Sequence, residues 1–268
     1  MRLKVLVDNN TYIDHNYFMG EPALSFYIEN ENDRILFDTG YTDIFMRNAE
    51  KMNIDLSKVN KIVFSHGHND HTNGFEFLSN KYDMSKAELY CLQGCFRPKY
   101  ESGDYIGAPF SQMKFEKKCV LNMGNEPVEI SRNLILLGRI PDYFDFEKRR
   151  AIGTLDSHTG PEDLCYEDTA MAYKMPDGIF IITGCSHSGI CNIIEHAIKI
   201  TGQERIKGVI GGFHIFENDI RLSKTIEYFE QRNINNIYPC HCVSFRAKAE
   251  IDRHIPIYDV ASGFELNI

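Results

Sequence analysis

The chain has 268 residues, 43% apolar and 25% charged, with a formal net charge of −9. That balance describes a globular protein long enough to bury a sizeable core, and the negative charge argues against a nucleic-acid-binding surface. No apolar run approaches the ~20 residues of a membrane helix, and eight cysteines behind an N-terminus unlike a signal peptide fit a reducing cytoplasm better than a disulfide framework.

Short strands dominate the first third. Leu3–Val7 alternates as a strand does. Residues 23–28 and 34–37 flank the polar turn 29–33 and read as a hairpin closed by Asp38-Thr39-Gly40. A helix is expected over 43–52, a strand over 61–64, a helix starting near Asn73 and a strand over 87–91. Residues 93–118 change character: glycines and prolines break them up, and Arg97, Lys99, Lys114, Lys117 and Lys118 interleave with Phe and Tyr. This stretch reads either as an excursion from the core near the active site, with Arg97 or a lysine meeting a substrate phosphate, or as a plain surface loop; long structured loops often shape specificity.

The second half repeats the grammar without repeating the sequence. A strand is expected over 133–137, and a hairpin over 169–183 turns at Pro176-Asp177-Gly178. Ile190, Ile193, Ile194, Ala197 and Ile198 share a helical face that Gly202 ends. A strand at 209–210, a helix through Leu222, Ile226 and Phe229, a strand at 236–239 and a helix near 247–250 follow. Two mostly antiparallel sheets packed face to face, with helices outside, would use every element in one domain spanning 1–268.

Residues 66–71 read His66-Gly67-His68-Asn69-Asp70-His71, directly after the apolar run Ile62-Val63-Phe64. Ionisable groups this dense at a strand end are costly to bury unless something satisfies them. A divalent metal does, and imidazole with carboxylate is a ligand set zinc takes, while such sites also accept iron or manganese. Further histidines follow expected strands at His187, His214 and His241, and strand ends can converge on one edge. In an extended Cys240-His241-Cys242, the histidine would point away from both thiols.

Phe37-Asp38-Thr39-Gly40 followed by the histidine motif resembles the metallo-β-lactamase superfamily. Thr183–Gly189, Gly211–His214 and Pro239–Cys242 resemble its narrower group named for 7,8-dihydropterin-6-methyl-4-(β-D-ribofuranosyl)aminobenzene-5′-phosphate synthase. The resemblance implies an α+β fold, a four-layer αβ/βα sandwich carrying one or two metals. It implies His66 and His68 on the first metal and Asp70 with His71 on the second, completed by His187 and His241. Asp38 would orient a liganding imidazole. Asp70 and His214 are the candidate catalytic residues, with His214 touching substrate phosphate or acting as an acid.

Two departures from the family pattern stand out. Cys185 occupies the position after the second hairpin where most members have a bridging aspartate, and it reads as a buried thiol or a direct ligand. His158 lies where the third histidine usually falls and is the alternative to His187. Oxygen-reducing di-iron members carry glutamate where this chain has His68, which favours zinc. The implied chemistry is hydrolysis of an ester, lactone or phosphoester by metal-activated water, or synthase chemistry on a metal-held leaving group, with a small-molecule substrate. A non-catalytic metal sensor on the same fold is the alternative.

Overall fold

Apolar alternation makes the first strand and its neighbours, and cross-strand pairs lock their register. Phe26 lies opposite Phe37 and their rings stack at 6.1 Å. The computed structural model describes residues 1–13 and 17–268. In chain order its elements are β1 (Arg2–Val7), β2 (Ser25–Asn30), β3 (Asp33–Phe37), α1 (Ile44–Lys51), β4 (Lys61–Val63), α2 (Asn69–Thr72), α3 (Gly74–Lys81) and β5 (Glu88–Cys91). Then come β6 (Lys99–Glu101), β7 (Asp104–Tyr105), α4 (Gln112–Glu116), β8 (Val120–Met123), β9 (Val128–Ser131), β10 (Leu134–Leu136) and β11 (Thr154–Leu155). The last are β12 (Ala170–Met175), β13 (Gly178–Thr183), α5 (Ile190–Thr201), β14 (Ile206–Gly211), α6 (Ile220–Gln231), β15 (Ile237–Pro239), α7 (Phe245–His254) and β16 (Glu265–Asn267). Among the described residues, no helix is long and apolar enough to cross a membrane.

The chain forms two compact units. The first comprises Met1–Asn125, Ala151–Glu167 and Ala261–Ile268. Its main sheet has seven strands in the order β16-β1-β2-β3-β4-β5-β8, and a small sheet runs β11-β6-β7. The core gathers Phe45, Phe64, Phe75 and Phe115 with the aliphatic residues of β1 to β5. α1 buries Phe45, Met46 and Ala49, and its buried Asn48 is satisfied by the Leu6 and Met19 carbonyls, both at 2.7 Å.

The second unit comprises Glu126–Arg150 and Asp168–Val260. Its sheet has six strands in the order β15-β14-β13-β12-β10-β9. The Ile-rich face of α5 packs into a core with Phe213 and Phe229. Gly202 ends α5 at a φ of 70°, as its place after the apolar stripe anticipates.

The sheets are mixed rather than mostly antiparallel. β3, β4, β5 and β8 pair in parallel, as do β13, β14 and β15. Each step between these strands passes through helical segments, and a crossover of that kind returns the chain in the same direction. Strand alternation alone cannot register this, and it is what builds the site. Parallel neighbours bring the loops at their carboxyl ends side by side.

Candidate metal-binding residues

In the first unit, Phe37 pairs with Val63, so the turn after β3 runs beside the loop after β4. Asp38 therefore meets Ser65 and the histidines beyond it. Its buried carboxylate accepts the Ser65 amide at 2.8 Å, the Ser65 hydroxyl at 2.7 Å and His71 Nδ1 at 2.7 Å. Since the Ser65 hydroxyl donates to Asp38, its oxygen accepts from His66 Nδ1 at 2.9 Å. One carboxylate thus fixes two imidazoles through their Nδ1 atoms, the arrangement that orients histidine ligands. Asp38 thus holds the His71 imidazole, and through Ser65 it reaches His66 as well.

His71 Nε2 lies 3.4 Å from Asp70 Oδ2. Two ligands about 2.0–2.1 Å from one tetrahedral ion stand about 3.3 Å apart, so this pair has the spacing of two donors to one metal. Burial disfavours a charged His71, but Asp70 and Asp38 outweigh it and hold its pKa well above the ordinary imidazole value. Nearly buried His68 turns its Nε2 to Asp163 at 3.2 Å. Its ring stands 4.6 Å from that of His66, centre to centre, and the His66 and His71 rings are 4.2 Å apart. Gly67 is required between the histidines, because a Cβ there would sit 2.0 Å from the Cys95 carbonyl oxygen.

Below this loop lies a group that sequence reasoning missed. Lys99 is fully buried and bridges Asp163 at 3.0 Å and Glu167 at 2.7 Å. Burial pushes its pKa down, but Glu167, Cys165 and Asp163 more than reverse that. Burial likewise raises the Asp163 carboxyl, yet the His68 hydrogen bond and the Lys99 charge hold it far below the usual range. Cys165 is the other omission: ligand atoms of His66, His68 and Cys165 lie within 4.8 Å of one another. No local motif marks Cys165, whose position only the fold reveals. His158 is placed differently. Its ring packs on Tyr100 at 4.4 Å, and it lines a cavity of about 390 Å³ with Glu101, Ser102 and Thr154.

Residues 93–118 supply β6, β7 and α4, and they touch the histidine loop where the Asn69 amide donates to the Ile106 carbonyl at 2.8 Å. Four of the five basic residues of this stretch already have partners. Arg97 pairs with Asp156, Lys99 is the buried bridge, Lys114 lies 3.7 Å from the Phe110 ring centre, and Lys118 donates to Ser79.

In the second unit, Ile182 pairs with Ile210 and Gly211 with Pro239, so three loops emerge together. They carry Cys185 and His187, then His214, then His241 and Cys242. The His187 and His214 rings are 4.4 Å apart, and His241 Nε2 is 3.2 Å from Cys185 Sγ. Ligand atoms of Cys185, His214 and Cys242 lie within 4.8 Å of one another. Segment 240–242 is not extended, because His241 has a φ of 53°. The argument that turned its thiols away from the histidine therefore fails. Nor is Cys242 an inert apolar filler. It accepts the His214 amide at 3.3 Å, and a Cβ on Gly212 would overlap its sulfur at 2.4 Å. Burial alone would raise its pKa, but Cys185, His214 and His241 together bring it well below the ordinary thiol value. No disulfide joins any of the described cysteines, all eight of which are buried.

Comparisons with known proteins match this picture. Residues 19–89 fit the family model described as the metallo-beta-lactamase superfamily. An uncharacterized protein of Methanocaldococcus jannaschii, MJ0448, is 32% identical over 253 residues, covering 94% of each chain. The 7,8-dihydropterin-6-methyl-4-(beta-D-ribofuranosyl)-aminobenzene-5'-phosphate synthase of the same organism is 28% identical over 263 residues, 92% of this chain and 89% of that one. Among solved structures, Tm1679, described as a metal-dependent hydrolase of the beta-lactamase superfamily, superposes with a TM-score of 0.84 at 28% identity, covering 100% of this chain and 99% of that one.

Proposed function

The chain belongs to the metallo-β-lactamase superfamily, and from that premise we propose that it is a metal-dependent enzyme acting on a small phosphorylated or ester substrate. The observation that carries this reading is the Asp38 carboxylate, which holds His71 directly and His66 through Ser65, each by its Nδ1. The donor set fits a divalent transition metal, zinc first and iron or manganese next. His66, His68, Asp70 and His71 are the ligands this reading takes from the first unit, and His187 and His241 those it takes from the second. A bound metal supplies Lewis-acid charge neutralisation and a water acidified to a pKa of about 7. The chain's own residues do the rest. Asp38 keeps the imidazoles in one tautomer, Asp70 can hold a proton beside the reacting oxygen, and His214 is the second candidate for proton transfer.

Hydrolysis and condensation both need charge neutralised on a leaving oxygen, and the relatives' names include one of each. Assay of activated phosphodiesters and lactones, beside condensation of a pterin pyrophosphate with an arylamine, separates the two. Each assay is run with and without chelator. Chelator-sensitive turnover in either assay is the expected result. Turnover indifferent to chelator overturns the metal mechanism, and metal loading without turnover in any assay favours a metal-binding protein without catalysis.

A further inference from the structure

One cation of the second unit is buried without a partner for two of its donors. Arg221 stands in the first turn of α6, just after the Asp219 cap, and is 4% exposed. Its Nε and Nη2 are buried and make no hydrogen bond. Buried Glu147 acts on it electrostatically, but the Glu147 oxygens accept the Cys191 and Asn192 amides at 3.1 and 2.8 Å. A guanidinium cannot shed its proton to escape burial as a lysine or histidine can. Nε and Nη2 are, moreover, the side edge of the fork, which takes two oxygens of one oxyanion.

That residue lines a cavity of about 100 Å³ with Arg150, His214, Phe216, Glu217 and Asp219. His214 Nδ1 is buried and likewise makes no hydrogen bond. Arg150 is exposed, 3.7 Å from Asp219, whose other oxygen caps α6 through the Arg221 and Leu222 amides. Glu217 is solvent-exposed and opposes an anion only weakly through water. Two arginines and a histidine thus line one cavity, and three buried nitrogens of Arg221 and His214 have no hydrogen-bond partner, in a chain whose net charge is −9.

We propose that this cavity is an oxyanion subsite for a phosphate group. The side edge of Arg221 takes two of its oxygens, His214 Nδ1 donates to a third, and Arg150 adds positive charge. Three donors call for at least three acceptor oxygens, which phosphate offers and a carboxylate, with two, does not. That this phosphate belongs to a substrate rests on the enzymatic reading above, whereas the binding itself does not.

The test is calorimetric titration of inorganic phosphate, and of acetate for comparison, into the full chain as purified and after chelator treatment. Phosphate should bind more tightly than acetate in both preparations, with about tenfold weaker binding in Arg221→Lys, which keeps the charge and loses the edge, and a smaller loss in Arg150→Ala. Arg150 is exposed, so its variant folds. If Arg221→Lys does not fold, Arg150→Ala and His214→Gln decide. Unchanged phosphate affinity in the folded variants, equal binding of acetate, or no phosphate binding to either preparation overturns the subsite. Phosphate bound only with metal present and indifferent to Arg221→Lys also overturns it, leaving the metal reading in place. Arg221-dependent binding in a protein that shows no metal-dependent turnover would keep the subsite and remove the enzymatic reading.

Discussion

His71 of the first unit donates to a buried carboxylate at 2.7 Å, whereas His241 of the second faces a thiol at 3.2 Å. The same contrast runs through each cluster. Asp38 and Asp163 hold the first unit's histidines, with Ser65 in turn holding Asp38 and Lys99 holding Asp163. In the second unit, sulfur and backbone amides take that part, as the His214 amide on Cys242 shows. A carboxylate fixes an imidazole tautomer and raises its basicity, whereas a thiol changes character with its own protonation. The first unit should therefore be the more rigidly prepared to receive a metal, and the second the more sensitive to what occupies it.

The sharpest way to break this contrast is Asp38→Ala. It removes the acceptor of three hydrogen bonds at a buried site, so stability should fall by about 3–5 kcal/mol and metal affinity by about 10–100-fold. Denaturant melts and competitive chelation read the two losses, and a variant with wild-type metal affinity would show that Asp38 does not orient ligands. Next is Lys99→Met, which leaves Asp163 and Glu167 buried without their cation. A loss of about 3 kcal/mol is expected, and a neutral outcome would mean that the carboxylates protonate instead. Cys242→Ala should cost only about 1–2 kcal/mol, because one amide loses its sulfur acceptor. A loss as large as that of Asp38→Ala would erase the difference between the units.

The smallest effect is a pH dependence in the second unit. Burial lowers the His196 pKa, with Lys199 adding to it, while its ring contacts the Tyr143 hydroxyl at 2.9 Å and the Leu137 carbonyl at 3.1 Å. The unfolded chain then binds the proton more readily than the folded one. Stability from His196 is complete above the ordinary value of about 6.5 and declines as pH falls from there through the depressed folded value. Melting temperatures at pH 7.5 and 5.5 should converge in His196→Gln relative to wild type, and an unchanged difference would remove His196 from the account.

Much of the first unit's cluster was legible because its donors are local: His66, His68, Asp70 and His71 lie within six positions of the sequence. Asp38 was legible through its Asp-Thr-Gly turn. His187, His214 and His241 could be picked out as histidines following strands, yet their partners could not. Cys185 reaches His241 across 56 positions through the parallel order of β13, β14 and β15, and Lys99 reaches Asp163 across 64 beside the antiparallel β6–β11 pair. Parallel pairing also hid the mixed character of the sheets, since alternation along a strand says nothing of a neighbour's direction. The partners of the basic residues were hidden for a related reason. Sequence shows a basic residue but not the Asp156 that takes it, nor the Arg221 left without an acceptor.

The central claim is that these histidines hold metal, and elemental analysis tests it most directly. Wild-type protein from metal-replete medium should carry one or two transition-metal ions per chain, and a folded His68→Ala variant should carry fewer. A wild type that holds no metal, or a His68→Ala variant with unchanged stoichiometry, would contradict it.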